Sequence, residues 1–287
     1  MGSEAVAAGL VTRHELRTRF VPVYRNVYVA MGRTLTAADR AGAAWLWSRR
    51  QAIVAGTSAA AWHGSLWIDD RLPAELIQPS QHKTKGIVLH SEQLDDDEVV
   101  CLRGLRVTSP ARTAYDLGRR AGLTLAVVRL DALMRATSVT ADDVRVLAER
   151  HGGARGIVQL RRSLALADAG AESPQETRTR LLLTRAGLPP EHTQIDVSDR
   201  DGHHVARVDM GWKTWKVGVE YDGTQHWSDP RQRARDIDRQ AELEALGWHI
   251  VRVSAGILRD RPATIAARVW HALRAAGAPI PAPNLNF

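Results

Sequence analysis

The sequence predicts an α/β protein, α+β overall, whose C-terminal part is a mixed β-sheet flanked by helices. Three observations lead to this prediction. The last third of the chain reads helix, strand, strand, helix, strand, helix, an order typical of antiparallel neighbours followed by a helical crossover. The first third alternates capped helices with short strands. Hydrophobic residues make up 44% and charged residues 25% of the 287 positions, as expected for a globular chain.

The N-terminal third carries the signals of a separate α/β domain. A short helical segment, TRHELRTRF, precedes the extended segment VPVYRNVYVA, and the two together are typical of a truncated winged-helix-like start. Thr36 is a suitable N-cap for a helix over residues 36–50. Ser109 and Pro110 are a cap and a first helical residue for a later helix. Short strands are predicted between these helices.

The middle of the chain is helical throughout, from residue 123 to 168. Thr140 and Asp143 form a cap-like start for the central helix of this stretch. These helices have the pattern of a connector between two functional parts. The sequence therefore divides into an N-terminal domain, a helical connector and a C-terminal domain, with bounds 1–122, 123–170 and 171–287.

The charge balance favours a polyanionic partner. The net charge is +7 and the isoelectric point is about 10.1, and phosphate neutralisation by basic side chains releases counterions. Only four of the 39 basic residues are lysines, and such an arginine bias is also produced by a GC-rich genome. The composition alone leaves both explanations open.

Nothing in the sequence points to a membrane or to secretion. No apolar run reaches the roughly 20 residues that a bilayer span needs, and the N-terminus lacks a basic segment followed by a long apolar core. Cys101 is the single cysteine, which excludes an internal disulfide and a cysteine-based zinc site. We expect a cytoplasmic protein with no membrane partner.

Two predicted strands near the C-terminus carry carboxylates on one face. In VARVDMGW, alternation places Asp209 opposite the apolar face, and in KVGVEYD it places Glu220 and Asp222 together. If these strands pair, Asp209 and Glu220 lie near each other. Carboxylates that converge beside an apolar layer repel one another and lose hydration. A divalent cation, Mg²⁺ or Mn²⁺, relieves that repulsion.

The same acidic residues have a simpler explanation. A surface strand with a solvated acidic face, followed by an Asp-Gly turn, needs no metal. His226 beside these carboxylates is a candidate general acid or base near neutral pH. Glu176 is a further candidate, although Ser173 and Glu176 also have the spacing of a capping box. For Glu176 the two roles are compatible.

A charged helix follows the second acidic strand. Alternating signs usually indicate a solvated, salt-bridged helix face. Arginines beside a metal site can also bind phosphates in bidentate geometry. The candidate DNA-binding residues are Arg231, Arg233, Arg235 and Arg239.

Taken as an ordered set, the segments SPQETRTRLLL, VDMGW, VGVEYDGTQHW and RDIDRQAELEALGWHIVRV resemble the restriction-endonuclease-like superfamily. The resemblance covers roughly residues 171–275 and is closer to a Vsr-like branch, related to the very-short-patch mismatch repair endonuclease. It implies a mixed central sheet and Mg²⁺-dependent phosphodiester hydrolysis. Asp209 and Glu220 would then be the metal carboxylates, Glu176 the acidic residue of the first helix, and His226 the histidine of that branch.

One position departs from the superfamily pattern. The pattern implies a lysine at position 222, where this chain has Asp222. Either His226 or an arginine then substitutes for the lysine, or the fold is inactive and retained for binding.

The N-terminal part resembles, more loosely, AbiEi-type antitoxin and transcription-regulator proteins, through GLVTRHELR, GTSAAAWHGSLW and VTSPARTAYDLGRR. In this region Arg112 is a candidate for a salt bridge or a phosphate contact at a helix start. The leading hypothesis is a metal-dependent endonuclease acting on duplex DNA in repair or defence, whose N-terminal domain supplies either DNA engagement or a surface for a protein partner. The alternative is a non-catalytic DNA-binding regulator of antitoxin type.

Overall fold

A computed structural model describes residues 1–79, 84–223 and 230–286, with only the backbone described for residues 230–234. The chain folds into two compact units, Met1–Ala167 and Asp168–Phe287. The three-part division predicted from the sequence, with its helical connector, stays a prediction. No helix within the described residues combines the length and apolar character that a membrane span needs.

The first unit begins with two short helices and a hairpin. Thr12 caps the second helix, because its hydroxyl accepts the Glu15 amide while the Glu15 carboxylate accepts the Thr12 amide. The two strands pair antiparallel, and the turn between them contains Asn26 at a φ of 62°. The elements are α1 (Gly2–Ala7), α2 (Arg13–Thr18), β1 (Phe20–Tyr24) and β2 (Val27–Ala30).

A five-stranded mixed sheet forms the centre of the first unit. Its strands are β3 (Ile53–Val54), β4 (Ala74–Ile77), β5 (Ile87–His90), β6 (Val99–Leu102) and β7 (Leu105–Thr108). Their order is β5-β4-β3-β7-β6, with β4/β5 and β3/β7 parallel and the other neighbours antiparallel. Helices α3 (Ala37–Trp47) and α4 (Gly56–Trp62) pack with these strands, and α5 (Pro110–Arg120) packs against α4.

The capping residues predicted for these helices are confirmed. The Thr36 hydroxyl accepts the Asp39 amide at 3.1 Å at the start of α3. The Ser109 hydroxyl accepts the Arg112 amide at 3.3 Å, and Pro110 is the first residue of α5. Three further helices, α6 (Leu123–Ala136), α7 (Ala141–Arg150) and α8 (Ile157–Leu166), pack against α5 around buried leucines and Tyr115.

Arg112 lies in a buried network of ion pairs in the first unit. Its guanidinium contacts Glu98 at 2.6 Å, Asp116 at 3.2 Å and Glu92 at 2.6 Å. The side chains of Arg112, Glu98 and Asp116 are 3%, 1% and 0% exposed. Arg119 adds a second cation that contacts both Asp116 and Glu92. Arg112 thus makes a salt bridge, one of the two roles considered from the sequence.

The second unit contains a four-stranded mixed sheet with helices on both faces. Strand order is β11-β10-β9-β8, and β10 pairs antiparallel with β9 and parallel with β11, as the predicted crossover requires. Its elements are α9 (Pro174–Arg185), β8 (His192–Ser198), β9 (His204–Trp212), β10 (Val217–Asp222), α10 (Pro230–Ala245), β11 (His249–Ser254), α11 (Ala255–Asp260) and α12 (Pro262–Ala275).

Strand β8 was missing from the predicted order of elements. Its sequence, HTQIDVS, buries only Ile195 and Val197, so the alternating apolar signal covers just two positions. Gln194 interrupts the strand with a φ of 49°. Strand β8 forms because it pairs with β9, and its own sequence does not predict a strand.

The two faces of this sheet have separate apolar cores. One face packs on α9 and α12 through Leu183, Val219 and Val269. The other packs on α10 through Val208 and Leu243. The strands therefore lie between two apolar layers, one on each face of the sheet.

We expect replacement of Arg112 by methionine to lower the free energy of unfolding by about 3–5 kcal/mol, since it leaves buried carboxylates without a cation. Arg71→Met is the matched control, because Arg71 pairs with Asp69 at the surface with its side chain 88% exposed, and such pairs contribute about 0–1 kcal/mol. Urea titration followed by circular dichroism measures both. Equal losses in the two variants would contradict this account.

Candidate active site

The site lies where strands β9 and β10 separate. Three residue pairs hold the two strands together, ending at Val219 opposite Met210. In this register the next opposed residues are Asp209 and Glu220. There the Asp209 carboxylate accepts the main-chain N–H of Tyr221 at 2.7 Å, so a side chain takes the place of a strand carbonyl. The strands therefore open around two carboxylates.

The side-chain alternation of β9 is disturbed at the same place. Alternation predicts that Val208 and Met210 share a face. In the structure Val208 packs in the core beneath α10, whereas Met210 packs in the core beneath α9 and α12. In the β8/β9 register, the residue opposite Asp209 is Gln194, which has a left-handed φ of 49°. The backbone irregularity on both strands thus coincides with Asp209.

Glu176 reaches the site from the first turn of α9. The Ser173 hydroxyl accepts the Glu176 amide at 3.2 Å and so caps the helix. The Glu176 carboxylate, on a residue only 8% exposed, accepts the Glu172 amide at 2.8 Å and the Gln194 side-chain amide at 3.1 Å. Gln194 and the helix start together fix the orientation of this carboxylate.

The proximity of these groups changes the acidity of Asp209. Burial, reinforced by the negative charges of Glu176 and Glu220, raises the pKa of Asp209 to about 7. The Tyr221 amide and the Arg239 guanidinium act in the opposite direction but are weaker. Asp209 is therefore a carboxyl group that titrates near neutral pH, which is typical of functional sites.

Glu220 is paired with an arginine of α10. The guanidinium of Arg239 donates to both oxygens of Glu220, at 3.2 Å and 3.0 Å. Glu220 is 8% exposed, so this bidentate pair neutralises a buried charge. Arg239 was predicted as a DNA-binding residue, and here its side chain faces the acidic site.

Asp222 lies on the same face, one alternate position beyond Glu220. Its carboxylate is 3.8 Å from the guanidinium of Arg252, which projects from β11. A cavity of about 350 Å³ opens between these side chains. Its lining residues are Arg207, Asp209, Glu220, Tyr221, Asp222, Asp236, Arg239 and Arg252.

The structure does not describe the side chains of every predicted residue. His226 and the side chains of Arg231 and Arg233 lie outside the described residues. Arg235 is exposed on α10. The structure thus brings Asp209, Glu220 and Asp222 together around one cavity with Glu176 close enough to shift the acidity of Asp209, while the roles of all these residues stay predictions.

The donor set has the chemistry of a divalent-cation site. Mg²⁺ prefers carboxylate oxygens and typically binds one or two of them together with water and phosphate. The Asp209 oxygen that does not bind the Tyr221 amide has no hydrogen-bond partner among the described residues. Glu220 can serve as a second ligand once its pairing with Arg239 is released.

In the described part of the chain, two further groups of acidic residues and histidine could hold a metal ion. They are Asp95, Glu98 and His151 in the first unit, and Asp199, Asp201 and His203 in the turn between β8 and β9. In the first group Glu98 is already paired with Arg112, and the second has exposed members. Neither group includes Asp209 or Glu220.

Gln194 and Arg252 contact the predicted carboxylates but were not predicted from the sequence as site residues. Gln194 orients Glu176, but it belongs to the strand that the sequence pattern did not reveal. Arg252 belongs to a predicted strand, and its place beside Glu220 and Asp222 follows from the parallel register of β10 and β11. A parallel register is set by long-range packing and leaves no local signal in the sequence.

Comparison with known proteins agrees with this fold. The restriction-endonuclease-like family model REase_MTES_1575 matches residues 190–273, so the C-terminal region is restriction-endonuclease-like. "Uncharacterized protein MT2308" and "Uncharacterized protein Rv2248", from two strains of Mycobacterium tuberculosis, are each 31% identical over 186 residues. That match covers 65% of this chain and 68% of each relative. No solved structure matches the chain.

The raised pKa of Asp209 predicts a stability effect that depends on pH. The folded state holds a proton on Asp209 that the unfolded chain releases near pH 4, so stability is lost as pH rises from about 4 to about 7. Asp209→Asn keeps an acceptor for the Tyr221 amide and removes the charge. We expect it to raise the free energy of unfolding at pH 8 by about 1–4 kcal/mol.

At pH 4 the same substitution should change stability little, because Asp209 is protonated there in the folded protein. Thermal melts in EDTA at both pH values measure the difference, with Asp201→Asn in the exposed turn as control. A melting temperature at pH 8 equal to or below that of the unaltered protein would contradict the assigned pKa.

Proposed function

Because the chain belongs to the family of the Mycobacterium tuberculosis proteins MT2308 and Rv2248, and its C-terminal region is restriction-endonuclease-like, we propose that it is a metal-dependent DNA endonuclease. One observation carries this proposal. Where β9 and β10 separate, Asp209 and Glu220 meet in a cavity beside Arg239 and Arg252, with Glu176 close by. This arrangement suits the hydrolysis of a phosphodiester bond.

Asp209 and Glu220 are the proposed ligands of Mg²⁺ or Mn²⁺. Such a cation supplies Lewis-acid polarisation of a phosphoryl oxygen and acidifies a water molecule. Asp209 has a pKa of about 7 because of burial and its acidic neighbours, and it loses its proton when a cation replaces that proton. Binding of a cation to the Asp209 carboxylate would therefore be linked to release of the Asp209 proton.

The two arginines have separate proposed roles. Arg239 holds Glu220 through both carboxylate oxygens, and its fork of donors fits a phosphate group equally well. Arg252 lines the same cavity beside Asp222. We assign to Arg252 the positive charge that the superfamily pattern supplies by a lysine at position 222.

The remaining predictions form part of the same proposal. His226 is proposed as the group that moves a proton to or from the water or the leaving oxygen, in line with the Vsr-like resemblance. Arg231, Arg233 and Arg235 are proposed to bind the DNA backbone. The AbiEi-like N-terminal part is proposed to engage DNA or a protein partner.

A second candidate function is DNA binding without cleavage, by a regulator with a relic nuclease fold. Two observations favour it: Asp222 replaces the expected lysine, and both oxygens of Glu220 are occupied by Arg239. This function predicts duplex binding that falls with salt, is insensitive to chelator and produces no cleavage.

Plasmid nicking tests the proposal. With Mg²⁺ or Mn²⁺ the unaltered protein should nick supercoiled DNA, and Asp209→Asn or Glu220→Gln should each lower the rate roughly 100-fold or more, as when a group acting directly on the transition state is lost. Asp260→Asn, at the end of α11 with its side chain 57% exposed, is the matched control and should retain activity. Nicking that survives both site substitutions would refute the assignment, and an absence of nicking in all variants would favour the regulator.

A further inference from the structure

A groove of about 810 Å³ follows β11, the edge strand of the four-stranded sheet. It is bordered by α10 on one side and by α12 on the other. The α12 side carries small residues, Ala272, Ala275 and Ala276, which keep the groove open. An open groove beside a sheet edge is accessible to an extended ligand.

The groove is lined by positive charge. Lys216, Arg252 and Arg268 contribute permanent cations, and His249 and His271 add two imidazoles. None of the described residues that line the groove is an aspartate or a glutamate. A cationic surface of this kind attracts phosphates through counterion release.

Two of these cations, Arg268 and Lys216, are available to a ligand, whereas Arg252 lies 3.8 Å from the Asp222 carboxylate. Arg268 is exposed on α12, and no ion pair that the structure describes involves it. Lys216 donates to the Leu246 carbonyl at 2.8 Å, which fixes its ammonium at the groove rim and leaves two N–H donors. In the first unit, by contrast, Arg112 is fully neutralised by buried carboxylates. The groove therefore retains its charge.

An aromatic ring completes the lining. Trp215 is half-buried and packs against the core shared by the sheet and α12, so its ring is held in place. Aromatic rings fixed beside cations are typical of surfaces that bind nucleic-acid strands, because bases stack on the ring while the cations bind phosphates.

Arg252 joins this groove to the acidic cavity, since its side chain lines both. A nucleic-acid strand bound in the groove would therefore extend to the cavity that contains Asp209 and Glu220. We propose that the groove along β11 binds the phosphate backbone of the DNA strand that flanks the scissile phosphate. That the bound strand is the one to be cleaved rests on the proposed function, whereas binding of a phosphate backbone rests on the groove alone.

A protein strand added to the free edge of β11 is the competing occupant. Charged side chains on an edge strand disfavour such pairing, and His249 and Arg252 are two of only six residues in β11. The surplus of cations instead complements a polyanion. Nucleic acid is therefore the occupant that the charges favour.

Anisotropy titrations test the groove independently of cleavage. The full-length protein carrying Asp209→Asn, in EDTA, is titrated into a fluorescein-labelled duplex and into its single strand, between about 50 and 200 mM salt. Adding Arg268→Glu should weaken binding roughly 10-fold and reduce the slope of log affinity against log salt by about one.

The matched control is Arg200→Glu, added to the same protein. Arg200 is exposed in the turn after β8, at the opposite edge of the sheet, and the change in net charge is identical. Equal DNA affinities of the Arg268→Glu and Arg200→Glu variants would refute the proposal that the groove binds DNA. So would unchanged DNA affinity with an altered sedimentation coefficient for Arg268→Glu, which would indicate a protein partner. If Arg268→Glu alone weakens DNA binding and the unaltered protein never nicks plasmid, the groove proposal is upheld and the endonuclease proposal is refuted.

Discussion

The hydrogen bond from the Tyr221 amide to the Asp209 carboxylate is the contact on which the C-terminal site depends. At 2.7 Å it replaces the next rung of the β9/β10 ladder with a side chain. The strands can then open without leaving a buried amide unsatisfied, which would cost about 1–3 kcal/mol. Glu220 and Asp222 continue along β10 on the widened side, and the first turn of α9 delivers Glu176 to the same place. The cavity thus depends on one hydrogen bond in which the Asp209 carboxylate accepts the Tyr221 amide in place of a main-chain carbonyl.

This arrangement is stable only because of its surroundings. Neighbouring carboxylates with reduced hydration destabilise a folded protein, as the raised pKa of Asp209 indicates. The apolar layers beneath α9 and α12 on one face and α10 on the other offset that effect, since burial contributes roughly 25 cal/mol per Å² of apolar area. Val219 and Val208, which flank the acidic residues, belong to these two layers.

The sequence predicted those features that depend on local rules. The antiparallel order of β9 and β10 was enough to place Asp209 near Glu220, although the period of two breaks at Asp209, because Val208 and Met210 pack in different cores. The caps at Thr36 and Ser109 followed from residue type. The site also contains contacts that depend on tertiary structure. Gln194 orients Glu176 from a strand with too few apolar residues to be recognised. Arg252 reaches the cavity through a parallel register, and Arg239 through the packing of α10.

The two units use buried charge in different ways, and the contrast bears on function. In the first unit Arg112, Arg119 and Arg120 face Glu92, Glu98 and Asp116, so opposite charges match and the network is structural. In the second unit, among the described residues, five carboxylates at or beside the cavity face three arginines. The carboxylates are Glu176, Asp209, Glu220, Asp222 and Asp236, and the arginines are Arg207, Arg239 and Arg252.

A fold selected for stability alone would balance these charges or replace them by apolar residues, which is often neutral or favourable. Among the described residues that line the cavity, four carboxylates outnumber three arginines, and such a local excess of negative charge is instead what a cation-binding site requires. The adjoining groove carries the opposite excess, with cations and no carboxylate among its described lining residues. Arg252 stands at the boundary of the two. A phosphodiester strand with its metal ion, the ligand that we propose, has charges that complement both surfaces at once.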